Sequence, residues 1–385
     1  MQRGASVMVR FIHSADWQLG MTRHFLSPEA QARYSEARLD AVREIAALAR
    51  TERCAFVVVS GDVFESNHLD RQVVIRALDA MAAFDVPLYL LPGNHDSYNA
   101  ASVYRSKAFL EHCPPQVHVL DTFGVVAVPG ADTELVAAPW QTKLPLHDLV
   151  AQACAGLSAP GHAVRVVVGH GAVDDGSPNP NDPALVQVAS ADAVIESGLV
   201  HYVALGDRHS TTSVGRTARI WYSGTPLVTD YDEVKPNHVL LVVLDGGSIV
   251  VEPKLVGLWQ FLRQQFDVNN QADIGAVRDW LDAIADKRRA VVKLSFVGTL
   301  SLADKACLDD VLEHYADLFA ALETWERHTE LCVRLDDDDL RDLDLSGFAL
   351  AAANDLGELA TGEGPDAEVA RDALGLLSRL AGRSS

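Results

Sequence analysis

Asp16, Asp62, Asn94, His95, His170, Asp207 and His209 are side chains able to hold a metal ion or move a proton, and each closely follows a short apolar run. His13-Ser14-Ala15-Asp16-Trp17-Gln18 follows the run at 9–12, Gly61-Asp62 the run at 56–60, and Gly93-Asn94-His95-Asp96 the run at 88–91. Gly169-His170 and Gly206-Asp207-Arg208-His209 follow the runs at 164–168 and 202–205. Residues two apart in extended backbone face the same way, so Asp16 and Gln18 can address one point. A glycine beside each of the last four sets lets the chain turn sharply enough to aim a side chain into a shared cleft. Any one of these motifs is weak evidence; five in order are not. Carboxylates, imidazoles and carboxamides gathered in this number are ligand-type side chains able to share one metal-binding cleft.

The elements that must position these residues are legible in the hydrophobic pattern. The five runs are short and β-rich, and apolar residues at helical spacing over 33–50 and 70–84 fill the gaps between the first three. The chain therefore opens β-α-β-α-β with buried strands, a class of sheet in which ligands collect at the carboxyl ends. Past Gly206 the pattern changes to alternating strands at 219–223 and 238–244, with a turn at Asp245-Gly246-Gly247. A first domain over 8–257 is expected. A helix at 273–285, a strand at 291–296, a helix at 302–322 and a strand at 330–335 predict a small α+β domain over 270–345. The remaining 346–385 read as a helical tail, whose stripe Val369, Ala373, Leu374, Leu377 and Leu380 packs on its own domain or docks a partner. The acidic run 336–339, with Asp342 and Asp344, lacks the ligand spacing of a calcium loop and reads as a solvated turn.

Bulk properties narrow the function classes. The 385 residues are 48% hydrophobic, enough to bury a full core, and 32 Lys and Arg against 53 Asp and Glu give a formal charge of −21. That balance argues against a broad basic face for nucleic acid. No apolar run approaches the roughly 20 residues that span a bilayer, and the N-terminal stretch has no apolar core of a signal peptide. Cys54, Cys113, Cys154, Cys307 and Cys332 are scattered without a C-x-x-C pair, as expected of reduced thiols in a cytoplasmic protein.

In their order, D-x-Q, G-D, G-N-H-D, G-H and G-D-x-H resemble the calcineurin-like metallophosphoesterases. His13-Ser14-Ala15-Asp16-Trp17, Gly61-Asp62-Val63-Phe64 and Tyr222-Ser223-Gly224-Thr225-Pro226 look most like the SbcD-type subunits of DNA-repair nucleases. The resemblance covers 8–245. It implies an α/β fold, a core of two β-sheets flanked by helices, followed by a small C-terminal α+β capping domain. It further implies one metal held by Asp16, Gln18, Asp62 and His209 and a second by Asp62, Asn94, His170 and Asp207. His95 would protonate or polarise the leaving oxygen, with Asp96 orienting its imidazole. DNA is the implied substrate and an SbcC-like coiled-coil ATPase the implied partner, while a homodimer is left open.

Two positions depart from the family pattern: Gln18 and Asp207 stand where histidines are usual. Both keep a donor atom, but the set moves from nitrogen toward oxygen, and preference moves from Zn²⁺ toward Mn²⁺, with Mg²⁺ or Fe²⁺ as alternatives. Two other functions stay open, a phosphodiesterase or phosphatase for small phosphoesters and a metal-poor scaffold that binds partners. His24, His68 and Arg208 are candidates for substrate contact, although exposed loop histidines are common. His13 reads as a cap on the first strand, Trp17 as core or as a stacking platform for a base, and 174–183 as a surface loop.

Overall fold

The computed structural model describes residues 8–334 except 178, 180 and 246, and 348–377 except 361, 363, 368, 371, 372, 375 and 376. The acidic run at 336–344 and Leu380 lie outside the described residues. Two compact units emerge: Met1–His24 with Gln31–Trp259, and Phe25–Ala30 with Gln260–Ser385.

Twelve strands build the first unit. They are β1 (Met8–Ser14), β2 (Phe56–Val59), β3 (Leu88–Leu90), β4 (Val117–Val119), β5 (Gly124–Ala127), β6 (Thr133–Ala137), β7 (Val164–His170), β8 (Tyr202–Gly206), β9 (Thr212–Val214), β10 (Ile220–Tyr222), β11 (His238–Asp245) and β12 (Ser248–Leu255). One sheet runs β12-β11-β1-β2-β3-β4 and the other β5-β6-β7-β8-β10-β9. Strands β1 to β4 pair in parallel, as do β6 to β8. Parallel neighbours need crossovers. The helices α1 (Pro28–Thr51) and α2 (Arg71–Met81) supply the first two. Val42, Ile45, Ala46 and Ala49, and likewise Val74, Ala77, Leu78 and Met81, recur at i, i+3, i+4 and i+7. Both stripes pack on Ile12, Val57, Val59 and Leu90 of the first sheet.

A second core lies between the sheets, where Phe11, Phe56 and Val58 meet Val166, Val168, Tyr202 and Ala204. A third covers the far side, where Val167, Val203 and Leu205 meet α4 (Leu149–Cys154) and α5 (Val188–Glu196). A further short helix, α3 (Lys107–His112), precedes β4. The unit is thus layered helix, sheet, sheet, helix. Strands β2 and β8 are buried along their whole length, so complete burial of each Val, Leu or Phe in them contributes about 1.5–3 kcal/mol. Strands β4 to β6, β9 and β12 have no counterpart in the sequence reading. All four residues of β5 are exposed, so no alternation marks it.

The second unit also opens differently from expectation, on a strand rather than a helix. Here β13 (Gln260–Asp267), α6 (Gln271–Ala283), β14 (Ala290–Ser301), α7 (Leu302–Ala316), β15 (Ala321–Thr324) and β16 (Glu330–Arg334) form a four-stranded sheet with parallel pairings. The helix expected over 302–322 ends at Ala316, and the chain turns to make β15. In the tail, α8 (Phe348–Ala360) contributes Ala353 and Ala360 to a small cluster with Leu302, Ala370 and Leu374, against which Leu377 packs, so part of the apolar stripe packs on its own unit while Val369 is exposed. No helix among the described residues is long and apolar enough to cross a membrane.

Candidate metal centre

The carboxyl ends of β1, β2, β7 and β8, together with the loop after β3, deliver their side chains to one place. Asp16 and Asp62 are buried, and each adopts a positive φ of 52°. Gln18 and Asp207 do so as well, at 44° and 102°. Only nine described residues other than glycine have positive φ, and four of them are expected ligands, so backbone strain is concentrated where side chains must turn inward. Neighbouring strands hold these turns open. Asp16 N donates to Gly61 O at 3.1 Å, Gln18 N to Asp62 O at 2.9 Å, and Asp207 N to the Asp16 carboxylate at 3.1 Å. Gly61 (φ +90°) and Gly206 permit the close approach; a Cβ on the first would overlap His170 Nδ1, and on the second the carbonyl of Ser60.

His170 stands at the centre. Its Nδ1–H donates to Ser60 O at 2.8 Å, and its Nε2 lies 2.7 Å from Asn94 Oδ1, 3.5 Å from Asp62 Oδ1 and 3.8 Å from Asp207 Oδ1. The donor atoms of Asp16, Asp62 and His170 all fall within 4.8 Å of one another. Gln18 Nε2 is 3.2 Å from His209 Nε2, and Gln18 Oε1 is buried with no hydrogen-bond partner. The Nδ1 of His209 faces Thr229 Oγ1 at 2.6 Å and Glu233 Oε1 at 3.0 Å.

The electrostatics show what this cluster lacks. Burial pushes the Asp16 carboxyl up to about 7 against the pull of His209 and His170, and Asp62 and Asp207 add to the rise. Burial raises Asp207 too. Burial opposes charge on His170, yet Asp62, Asp16 and Asp207 outweigh it and lift the imidazole to about 9. The Asp16 and Asp207 carboxyls and the His170 imidazole thus favour protons that a cation would displace. An orphaned carbonyl oxygen, three carboxylates and imidazole nitrogens make an oxygen-rich set that fits a divalent cation. Asp16, Gln18, Asp62, Asn94, His170, Asp207 and His209 are the residues that would hold it.

His95 is placed differently. Its side chain is 39% exposed at the rim, its Nδ1–H donates to Glu65 O at 2.9 Å, and its Nε2 stands 3.9 Å from Asp62 Oδ2. Asp96 does not orient it. That carboxylate is fully buried and accepts from Gly93 N at 2.7 Å, Phe64 N at 3.0 Å and the Tyr104 hydroxyl at 2.6 Å, so the Glu65 carbonyl takes the orienting place and Asp96 ties the loop after β3 to the end of β2. Burial lifts Asp96 to about 6, with Asp62 adding to the rise and those three donors restraining it.

The chain from 9 to 210 matches the family model for calcineurin-like phosphoesterases, more than half of its length. It belongs to that family. Membership brings metal-dependent phosphoester hydrolysis with it. No curated protein matches the chain. Among solved structures the phosphoesterase is similar to TT1561 of Thermus thermophilus, at TM-score 0.40 and 10% identity over 64% of this chain and 99% of that one. A dimetal phosphatase from Danio rerio is similar at TM-score 0.40 and 16% identity, over 63% and 98%. Purple acid phosphatase PPD1 from yellow lupin, Lupinus luteus, is similar at TM-score 0.39 and 12% identity, over 66% and 52%.

His24 and His68 are exposed, and Arg208 is exposed with its guanidinium carbon 5.5 Å from the centre of the Tyr222 ring. His13 is fully buried between the sheets, accepting from the Tyr202 hydroxyl at 3.0 Å and donating to Leu205 O at 3.1 Å. Trp17 is core: its Nε1–H donates to Ser14 Oγ and its ring stacks on Phe84. Glu233 was invisible in the sequence, lying in a loop beside Asp230 and Asp232 with no periodic signal to separate it from solvated acids.

Proposed function

We propose that this phosphoesterase is a DNA-directed phosphodiesterase of the SbcD type, working with Mn²⁺. One observation carries the hydrolytic reading: Asn94, Asp62 and Asp207 converge on His170 Nε2 while Gln18 Nε2 meets His209 Nε2. Bound cations supply an activated water and neutralise the phosphate oxygens. The chain does the rest. The Asp62 carboxylate accepts from His95 N at 3.0 Å, which couples the rim histidine to the ligand cluster. With both nitrogens protonated, His95 keeps its Nδ1–H on the Glu65 carbonyl and turns its Nε2–H toward the leaving oxygen. Mn²⁺ is favoured because Gln18 and Asp207 enrich the set in oxygen.

The resemblance of three segments to the SbcD-type nucleases supports the choice of DNA, and one of them also braces the site. Within Tyr222-Ser223-Gly224-Thr225-Pro226, Thr225 Oγ1 donates to Asp16 O at 2.9 Å and Thr225 N donates to His209 O at 3.1 Å, so this motif braces two expected ligands. The deciding assay offers single- and double-stranded DNA, a generic phosphodiester and a generic phosphomonoester, each with Mn²⁺, Mg²⁺ or Zn²⁺, against an Asp62→Asn control. DNA cleavage that is strongest with Mn²⁺ and lost in the control is expected. Turnover of small esters with intact DNA would overturn the nuclease reading in favour of a small-molecule phosphodiesterase. Absence of bindable metal would favour the scaffold.

A further inference from the structure

Glu233 lies in the loop between β10 and β11, far in sequence from most of the expected ligands, and its side chain is only 5% exposed. A buried carboxylate needs partners. Its Oε2 accepts from Thr229 N at 2.9 Å, and its Oε1 accepts from the Thr229 hydroxyl and lies 3.0 Å from His209 Nδ1. The Thr229 hydroxyl gives its only proton to Glu233, so toward His209, 2.6 Å away, it can only accept. Both groups facing Nδ1 are therefore acceptors. They keep the proton on Nδ1 and leave the lone pair on Nε2, the atom that faces Gln18. We propose that Glu233, seconded by Thr229, is a positioning residue that sets the tautomer of His209 and makes its Nε2 a metal donor. The inference rests on the metal-dependent reading of the site but not on DNA as substrate.

The role matters more here than beside a histidine-rich set, because the neighbour of His209 is Gln18, a neutral and weakly donating amide. A carboxylate on the far nitrogen strengthens the imidazole as a ligand, and loss of such a partner weakens metal affinity by roughly 10- to 100-fold. Glu233→Gln preserves size but brings an amide N–H to the same place. That donor demands a lone pair on Nδ1 and so moves the proton to Nε2.

The test is metal titration of wild type and Glu233→Gln by calorimetry with Mn²⁺, joined to nitrogen NMR of the His209 imidazole in the metal-free proteins. One ion bound about 10- to 100-fold more weakly in the variant is expected, the other unchanged, with Nδ1 changing from the protonated to the unprotonated signature. Thr229→Val, which keeps the shape and removes only the hydroxyl, should give a smaller shift in the same direction. Unchanged affinity in a folded Glu233→Gln protein overturns the proposal, and so does an unaltered His209 tautomer. If neither protein binds Mn²⁺ but the NMR signature still changes, the metal reading fails while the tautomer control stands.

Discussion

Among the histidines of the site, His95 is the one whose ring remains substantially accessible, whereas His170 is fully buried between three carboxylates. Accessibility suits a group that must meet the substrate, and burial suits a group that must hold something in place. His95→Ala should therefore lower kcat by about 10²- to 10⁴-fold while metal content stays unchanged. Steady-state kinetics beside elemental analysis checks this, and metal loss in the variant would show that His95 belongs to the ligand set. Asp62 behaves in the opposite way. Its two oxygens face His170 and His95, and Asp62→Asn removes a charge that an expected ligand and the rim histidine share, so metal content and turnover should fall together. These roles were legible because glycine and a ligand-type side chain recur at one strand end after another. Glu233 and the Glu65 carbonyl were not legible, since one is an acid among loop acids and the other a backbone atom that no side-chain pattern reports.

At the level of elements, strand ends and the sheet-to-sheet core share the burden of positioning. Gly61→Ala forces a side chain into positive φ and into the His170 ring, so a loss of about 1–3 kcal/mol is expected, read by chemical denaturation together with weaker Mn²⁺ binding. His13 links β1 of one sheet to β8 of the other. Its burial holds the imidazole down to about 3, from 6.5 in an unfolded chain. The unfolded state thus binds a proton that the folded state refuses between those values. The stability is present above pH 6.5 and is lost as pH falls toward 3, by about 1.4 kcal/mol per pH unit. His13→Gln should flatten that slope between pH 6.5 and 4 in urea titrations; an equal slope would show that the imidazole is charged in the fold. Buried strands such as β2 and β8 were readable as apolar runs, and α1 and α2 from their i, i+3, i+4 stripes. Strands β4 and β5 were not, because a three-residue strand carries too little alternation and an exposed one carries none. The expected helix at 302–322 overran because residues 317–322 continue its apolar content after the chain has turned.

For the whole molecule, a formal charge of −21 sets the terms on which DNA can approach. Phosphate binding through many surface lysines and arginines would make affinity fall steeply with salt, by a slope close to the number of phosphates neutralised. This chain lacks the surplus of cations for that, so if DNA is the substrate its attraction must be concentrated at the metal cluster. There the charge of bound cations would act among buried side chains and be screened less than charge on an open surface. Two consequences separate this from ordinary basic-patch binding. His95→Ala protein, able to bind but slow to cut, should hold a short DNA in Mn²⁺ and lose it by at least about 10-fold in a chelator, and its salt slope should correspond to only a few phosphates. Fluorescence anisotropy across a salt series with and without chelator measures both. Tight, steeply salt-dependent binding that survives the chelator would mean that a basic surface does the work despite the overall charge, and the metal cluster would then serve cleavage alone.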